Sequence, residues 1–198
     1  DRVYTFRAAP DWAVPALEAA GVGAVSLANN HVLDFGPRAF ADTLASLDGA
    51  GIGHAGAGAD LGAALAPATV AAGPMTVAVV GLTDRYPAYA ATPVDPGTAF
   101  ADLRVDSAGT RERVERALGA ARAADPDLVV ASLHWGPNWE VRPSEGQRAF
   151  ARWLIDRGVD VVHGHSAHVI QGVEVYRGRP IVYDAGDFVD DYVVKPDL

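Results

Sequence analysis

The sequence lacks cysteine and contains only one methionine in 198 residues. Without cysteine there is no disulfide, no thiolate nucleophile, and no cysteine-held zinc or iron–sulfur site. Any metal ion must therefore be bound by histidine, asparagine, aspartate or glutamate. Lysine is nearly absent as well, with Lys195 the single example, so arginine supplies almost all of the positive charge. Together with the abundance of alanine and glycine, this bias reflects a GC-rich genome rather than a function.

Long apolar segments are also missing. No run of about 18 apolar residues occurs, so no membrane-spanning helix is predicted. The chain begins at Asp1 and shows no basic-then-apolar leader, so we expect a mature or trimmed product. The absence of a signal peptide therefore leaves the cellular location open.

Positive charge is scarce overall, with 16 Lys and Arg against 25 Asp and Glu and a net charge of −9. A general nucleic-acid binder is excluded, because neutralising phosphates requires a basic face. A small anionic substrate remains compatible, since a metal ion or a local arginine can reverse the field in one cleft. The length and the 49% hydrophobic content fit one soluble domain, residues 1–198, with a full core.

Hydrophobic periodicity and chain-breaking residues predict the α/β class, because strands alternate with helices. The predicted strands cover 22–27, 75–82, 127–133 and 159–162, and the predicted helices 11–20, 37–49, 107–124 and 144–157. Two predicted hairpins, at 68–82 and 172–183, make the sheet mixed rather than purely parallel. Residues 83–104 are predicted to form a long irregular loop.

Three predicted strands end in histidine-bearing loops, at Asn30-His31, at His134 and at His165 to His168. Ligands gather at the carboxyl ends of strands in α/β sheets, so we expect His31, His134 and His165 to share one pocket. Imidazole and amide ligands suit zinc, iron or manganese better than calcium.

Each motif also has a plainer interpretation. Asn29-Asn30-His31 is compatible with a helix-capping turn, and His134 with a core edge where its ring is hydrogen-bonded. His163 is expected to be out of phase with His165 and to point into the core. The stretch Asp184 to Asp187 places further carboxylates at a strand end.

Four segments occur in one order: Ser26 to His31 with Asp34 and Gly36, then His134-Trp135-Gly136, then Gly164 to His168, then Tyr183 to Phe188. Together they resemble the CapA-type bacterial capsule proteins, which are associated with poly-γ-glutamate synthesis or export. That family in turn resembles the calcineurin-like metallophosphoesterases. The resemblance extends from about Tyr4 to Tyr192. It implies a sandwich of two mixed β-sheets flanked by helices, with a metal site at one rim.

The resemblance also implies roles for individual residues. His31 would be catalytic, with Asp34 orienting its ring. Divalent ions (Mn, Zn or Fe, and two of them in the full-length protein) would be bound by the set Asn30, His134, His165 and His168. Candidates for substrate binding are Asn29, Asp187 and Arg142, the last because a guanidinium forms bidentate hydrogen bonds with anions.

The sequence departs from the family pattern in several places. A strand ending in Gly-Asp and an Asn-Leu-Glu type motif, both expected before Asn29, are not present. Ser166-Ala167 stands where the family usually has His-Pro, and Asp187 where it usually has Asn. We therefore expect a chain shortened at both ends, with either a weak, partly open metal site or no metal at all.

Two functional hypotheses follow from the resemblance. The first is a metal-dependent hydrolase that acts on a phosphoester or on an amide of a γ-glutamyl polymer. The second is a non-catalytic accessory protein for polymer assembly or export on the same fold. A third, unrelated to the family, is a generic α/β binding domain, which predicts that the histidines lie apart. The expected partners are an anionic small molecule or polymer and capsule-synthesis proteins, in the cell envelope or outside the cytoplasm.

Overall fold

A computed structural model describes residues 4–187, and their architecture is α/β, as predicted. The helices are α1 (Pro10–Ala19), α2 (Gly36–Gly49), α3 (Leu61–Ala64), α4 (Ala108–Ala123) and α5 (Glu145–Asp156). The strands are β1 (Ala24–Ser26), β2 (Gly53–Ala55), β3 (Ala57–Gly58), β4 (Ala68–Ala72), β5 (Met75–Thr83), β6 (Gly97–Thr98), β7 (Leu128–His134), β8 (Val161–His165), β9 (Val173–Tyr176) and β10 (Arg179–Val182). Phe188 and Tyr192, near the end of the family resemblance, lie outside the described residues.

The largest sheet has six strands in the order β4-β5-β7-β8-β10-β9. Strands β5, β7, β8 and β10 run parallel to one another, whereas β4 and β9 are antiparallel edge strands. Both predicted hairpins are present, and the β4–β5 turn uses Gly73 at a φ of 63°, which glycine adopts without strain. The carboxyl ends of four parallel strands consequently lie at one rim of the sheet.

The two faces of this sheet differ in chemistry. Along β7, Val129, Ala131 and Leu133 belong to the buried core together with residues of α4 and α5. Because side chains alternate along a strand, Ser132 and His134 point to the opposite face. One face therefore supplies the apolar core, and the other carries polar groups to the rim.

A second, smaller layer contacts the six-stranded sheet. The parallel pair β1–β2 packs against β4 and β5, and β3 pairs antiparallel with β6. A Cβ atom at Gly81 would lie 2.8 Å from the Cα of Gly56, so this close approach needs glycine. Within the described residues the predicted second sheet is thus represented by short pairs.

The segment 83–104 is more ordered than the predicted irregular loop. It contains a 3-10 turn at Pro87–Tyr89 and strand β6, which pairs with β3. Among residues 4–187, none of the helices combines the length and the apolar character needed to cross a bilayer.

Candidate functional site

His134 and His165 are the last residues of the neighbouring strands β7 and β8, and they stand opposite each other in the parallel register. Strand pairing alone brings their rings together, with 3.2 Å between the two Nδ1 atoms. His163 lies in the same strand as His165, and their ring centroids are 5.8 Å apart. The expectation that His163 points away from His165 is wrong, because residues two apart in a strand share a face.

The two imidazoles belong to a chain of side-chain hydrogen bonds. The Oδ1 atom of Asn30 lies 3.1 Å from Nε2 of His134, and Oγ of Ser132 lies 3.2 Å from Nε2 of His165. One proton arrangement satisfies every contact: Ser132 donates to His165, His165 donates through Nδ1 to His134, and His134 donates through Nε2 to Asn30. Both rings are neutral in this arrangement.

The environment of the pair favours the same neutral state. Burial lowers the pKa of His134 to about 3, and the positive charges of His165 and Arg85 contribute to that shift. Burial likewise lowers the pKa of His165 to about 4, with a smaller effect of His163. Neutral imidazole is the form that binds a metal ion.

His31 has a partner of a different kind. It lies in the loop after β1, and its Nδ1 is 2.8 Å from Oδ2 of Asp34, whose side chain is 0% exposed. Asp34 also accepts a hydrogen bond from the backbone N–H of Phe6, and the Phe6 ring meets the His31 ring edge-on at 4.6 Å. The carboxylate holds Nδ1–H, so Nε2 is the nitrogen left to meet a substrate.

Asn29 shapes this loop through its side chain. Its Oδ1 accepts a hydrogen bond of 2.8 Å from the backbone N–H of His31, which is the pattern of an Asx turn. The turn directs the following Asn30 side chain toward His134. A direct contact of Asn29 with substrate stays a prediction.

His168 and Asp187 form a pair of their own, with 3.0 Å between Nδ1 and Oδ1. The Trp139 ring lies beside His168 at 5.6 Å between centroids. Within residues 4–187, no hydrogen bond joins His168 to His134 or His165. Asn30, the neighbour of His31, contacts His134, and both His31 and His168 contribute to the lowered pKa of His134, so these histidines lie near one another.

Asp184 builds the turn that carries His168. It is 1% exposed, and its two carboxylate oxygens accept hydrogen bonds from the backbone N–H groups of Ala167 (2.7 Å) and Gly186 (2.8 Å). The turn needs this support, because Ser166 and His168 both have positive φ angles, 113° and 59°. Asp184 therefore organises the backbone of this turn.

The structure does not bring Arg142 to the histidines. It lies instead in a separate cleft with Arg148, Glu174 and Tyr183. The loop from 136 to 143 first passes the turn of His168, where the N–H of Trp139 donates to the carbonyl of Ala167, and then reaches the cleft before α5 begins. The predicted role of Arg142 in binding an anionic substrate stays a prediction.

Two residues at the rim were missed by the sequence analysis. Ser132 precedes His134 by two positions and shares its face, which strand alternation would have shown. Asp84 directly follows β5; its Oδ2 accepts a hydrogen bond of 3.2 Å from the N–H of Gly136, and its Oδ1 is buried with no partner in the described part of the chain. Burial raises the pKa of Asp84. The rule that ligands gather at the carboxyl ends of strands, applied to β5 as well, would have identified Asp84 as a candidate.

The positions of the candidate metal ligands can be compared with the geometry that a metal ion requires. Residues 4–187 contain no group of three or more His, Asp or Glu side chains placed to hold one. Asn30 Oδ1, His134 and His165 do converge, with contacts of 3.1 and 3.2 Å. Ligands about 2.1 Å from one tetrahedral ion lie about 3.4 Å from each other, so each of the two contacts taken singly has nearly the spacing of a ligand pair. The two contacts use opposite nitrogens of His134, so a shared ion requires one imidazole to turn.

Comparison with known proteins agrees with the resemblance drawn from the motifs. The family model described as "Bacterial capsule synthesis protein PGA_cap" matches residues 1–192. A "Probable polyglutamine synthesis accessory protein" of Mycobacterium tuberculosis is 42% identical over 192 residues, covering 94% of this chain and 50% of that protein. The "Capsule biosynthesis protein CapA" of Bacillus anthracis is 32% identical over 179 residues, covering 90% of this chain and 42% of that protein.

A solved structure supports the fold. A hypothetical protein from Thermus thermophilus superimposes with a TM-score of 0.52 at 20% identity, covering 87% of this chain and 56% of that one. The chain spans about half the length of the curated relatives it matches. The adjacency of His134 and His165 contradicts the generic binding domain, which required scattered histidines. With a family match that covers nearly the whole sequence, the chain belongs to the bacterial capsule synthesis protein PGA_cap family.

Proposed function

We propose that this chain carries the reaction centre of a metal-dependent hydrolase of capsule metabolism, acting on a phosphoester or on a γ-glutamyl amide. The main support is the convergence of Asn30, His134 and His165 at one rim of the sheet, in the same neighbourhood as His31 and its carboxylate partner. Three elements that are distant in sequence thus supply donors of the kind that binds zinc, iron or manganese.

Asn30, His134 and His165 would hold the ion through the amide oxygen and one nitrogen of each ring. A divalent cation there supplies a Lewis acid that polarises the scissile bond and lowers the pKa of bound water. His168 and Asp187, which pair with each other nearby, are proposed as a further ligand and a substrate contact. A second ion would need ligands from outside the described residues.

His31 is proposed as the general acid. During hydrolysis a water oxygen bonds to phosphorus or to the carbonyl carbon, and the P–O or C–N bond breaks. The Nε2–H of His31 supplies the proton that the departing oxygen or nitrogen requires. Asp34, hydrogen-bonded to Nδ1, orients the ring.

A second candidate function is a non-catalytic accessory role in polymer assembly or export. It is favoured by the printed name of the mycobacterial relative and by the hydrogen-bond chain, which is complete with both rings neutral. In this case the histidines stabilise the rim and bind no ion. In both cases we propose capsule-synthesis proteins as partners and the cell envelope as the location.

Metal analysis with an activity assay separates the two functions. The longest polypeptide that the gene encodes is stripped with chelator and reloaded with Mn²⁺. Bound metal is then measured by mass spectrometry. Turnover is measured separately with an aryl phosphate and with a γ-glutamyl anilide as substrates. We expect His165→Ala to lose the metal and the turnover, and His31→Ala to keep the metal and lose the turnover.

His54→Ala is the matched control, because His54 pairs with Asp48 outside this cluster. It should retain both properties. Wild-type protein that binds no metal and turns over neither substrate would contradict the hydrolase and support the accessory role.

A further inference from the structure

Positive charge collects in one cleft of this acidic chain. The cleft has a volume of about 480 Å³ and lies between residues 141–143, helix α5 and strand β9. Arg142 and Arg148 line it, although the whole chain has a net charge of −9. The volume is in the range of about 300–1,000 Å³ that is typical of ligand sites.

The carboxylate in this lining, Glu174, has a pKa lowered first by its hydrogen bond with Arg152, and the charge of Arg148 adds to that shift without a direct hydrogen bond. Oε1 of Glu174 accepts a hydrogen bond of 2.7 Å from Arg152, and Oε2 accepts one of 2.8 Å from the Tyr183 hydroxyl. Both oxygens of Glu174 are therefore engaged. In the described part of the chain, no hydrogen bond or ion pair engages the guanidinium of Arg142 or Arg148, and Nε of Arg148 is buried without a partner. A buried donor without an acceptor is unfavourable, so an external anion would complete this cleft.

We propose that this cleft binds the carboxylates of an extended anionic polymer of the γ-glutamyl type, with Arg142 and Arg148 as the pairing groups. The identity of the polymer rests on the capsule role proposed above. Val141 and Val173, each 66% exposed, flank the arginines and match the methylene segments between successive carboxylates. Carboxylate geometry suits the planar guanidinium fork better than it suits lysine.

The cleft is distinct from the histidine pair yet adjoins the same strand ends. Tyr183 lines the cleft, and its backbone carbonyl accepts a hydrogen bond of 2.9 Å from Nε1 of Trp135. The Trp135 and Tyr183 rings are stacked with 6.2 Å between centroids. Trp135 follows His134, so its side chain points to the other side of the strand end. The cleft therefore holds the polymer away from the reacting bond rather than at it.

Binding is tested by fluorescence anisotropy with a labelled γ-glutamyl decamer and metal-free protein. Arg142→Gln and Arg148→Gln should each weaken binding about tenfold, because each removes a charge-assisted pair, and the double variant should weaken it further. Arg116→Gln is the matched control, since Arg116 is an exposed arginine on α4. It should bind like the wild type. Arg142→Lys should recover only part of the affinity, because lysine lacks the bidentate fork.

Unchanged affinity in the double variant, or no binding by the wild type, would overturn the proposal. Equally tight binding of inorganic phosphate at the same arginines would overturn the carboxylate assignment. If Arg148→Gln does not fold, the exposed Arg142 carries the test alone. The affinity for the decamer is also measured with the His165→Ala variant. If this variant still binds the decamer, the cleft works independently of the metal site, even where the hydrolase experiment fails. Loss of binding there, with a normal fold, counts against a separate cleft.

Discussion

His31 and the pair His134–His165 lie in one neighbourhood, yet their rings meet chemically different partners. His31 faces the buried carboxylate of Asp34 at 2.8 Å, whereas the pair is bonded to an amide, to a hydroxyl and to itself. His31 is held by an ionisable carboxylate, whereas burial among neutral partners favours the neutral ring at His134 and His165. This difference supports the proposed division of roles, with proton transfer by His31 and metal binding by the pair.

The largest effect is expected in the pH dependence of stability of the metal-free chain. Burial lowers the pKa values of His134 and His165 to about 3 and about 4, from an ordinary value of 6.5. The unfolded chain therefore binds more protons below pH 6.5. The contribution of the two neutral rings to the free energy of unfolding is therefore fully present above pH 6.5. It decreases as the pH drops toward 4, by up to about 1.4 kcal/mol per pH unit for each ring.

Urea unfolding in the presence of chelator, from about pH 7.5 down to about pH 4.5, measures this slope. His134→Asn should show a shallower slope than the wild type, because one of the two neutral rings is gone. Taking the difference between the two proteins cancels the carboxylates they share. Identical slopes would show that the pair does not control acid sensitivity.

Asn30→Asp should convert the amide–imidazole contact between Asn30 and His134 into a carboxylate–imidazole pair like that of Asp34 and His31. It places a negative oxygen at the position of Oδ1, which is 3.1 Å from Nε2 of His134. The proton affinity of His134 should rise at least about tenfold, measured by NMR titration of the imidazole protons. Asn29→Asp is the control, since its oxygen faces backbone N–H, and there the titration should stay close to the wild-type curve. A titration of His134 unaltered by Asn30→Asp would contradict the contact.

Asp34→Asn should make the reverse change at His31. If His31 is the general acid, turnover should fall about 10- to 100-fold, because the carboxylate that orients the ring is lost. Metal content should not change. Asp48→Asn removes a carboxylate from another histidine, His54, and should leave turnover intact. Loss of metal in Asp34→Asn would place Asp34 in the ligand set instead.

Ser132→Ala is expected to have the smallest effect. It removes the hydroxyl next to Nε2 of His165 and should lower the free energy of unfolding by about 0.5–1.5 kcal/mol. Ser46→Ala is the control, since that hydroxyl donates to a helix carbonyl of Asp42, and its loss should cost less. Thermal unfolding compares the two variants. Equal effects would mean that the bond to His165 adds no stability.

Much of the fold was accessible from the sequence. Runs such as Met75 to Leu82 predicted buried strands, and the turn at Gly73-Pro74 predicted the hairpin with β4, which is present. The approach of His134 and His165 was also predictable, because both follow apolar strands whose ends share a rim. These features depend on local periodicity and on the topology rules of α/β sheets.

Other features depended on long-range contacts. Strand β8 extends through His163 and His165, although histidine and glycine have no strong strand preference, because β7 offers a continuous ladder of hydrogen-bonding partners. Asp184 was expected to add a carboxylate to the rim, but backbone N–H groups of the turn occupy both of its oxygens. Neither outcome is visible in residue spacing.

The sequence by itself determined the α/β class, the family, and the residue types available at the rim. The tertiary structure decided which of those residues meet: Asn30 with His134, Asp34 with His31, and Arg142 with a cleft of its own. The physical reason is that periodicity reports which face of an element is buried. The partner of a polar side chain depends on how loops cross the ends of strands, and that path is set by packing between elements distant in the chain.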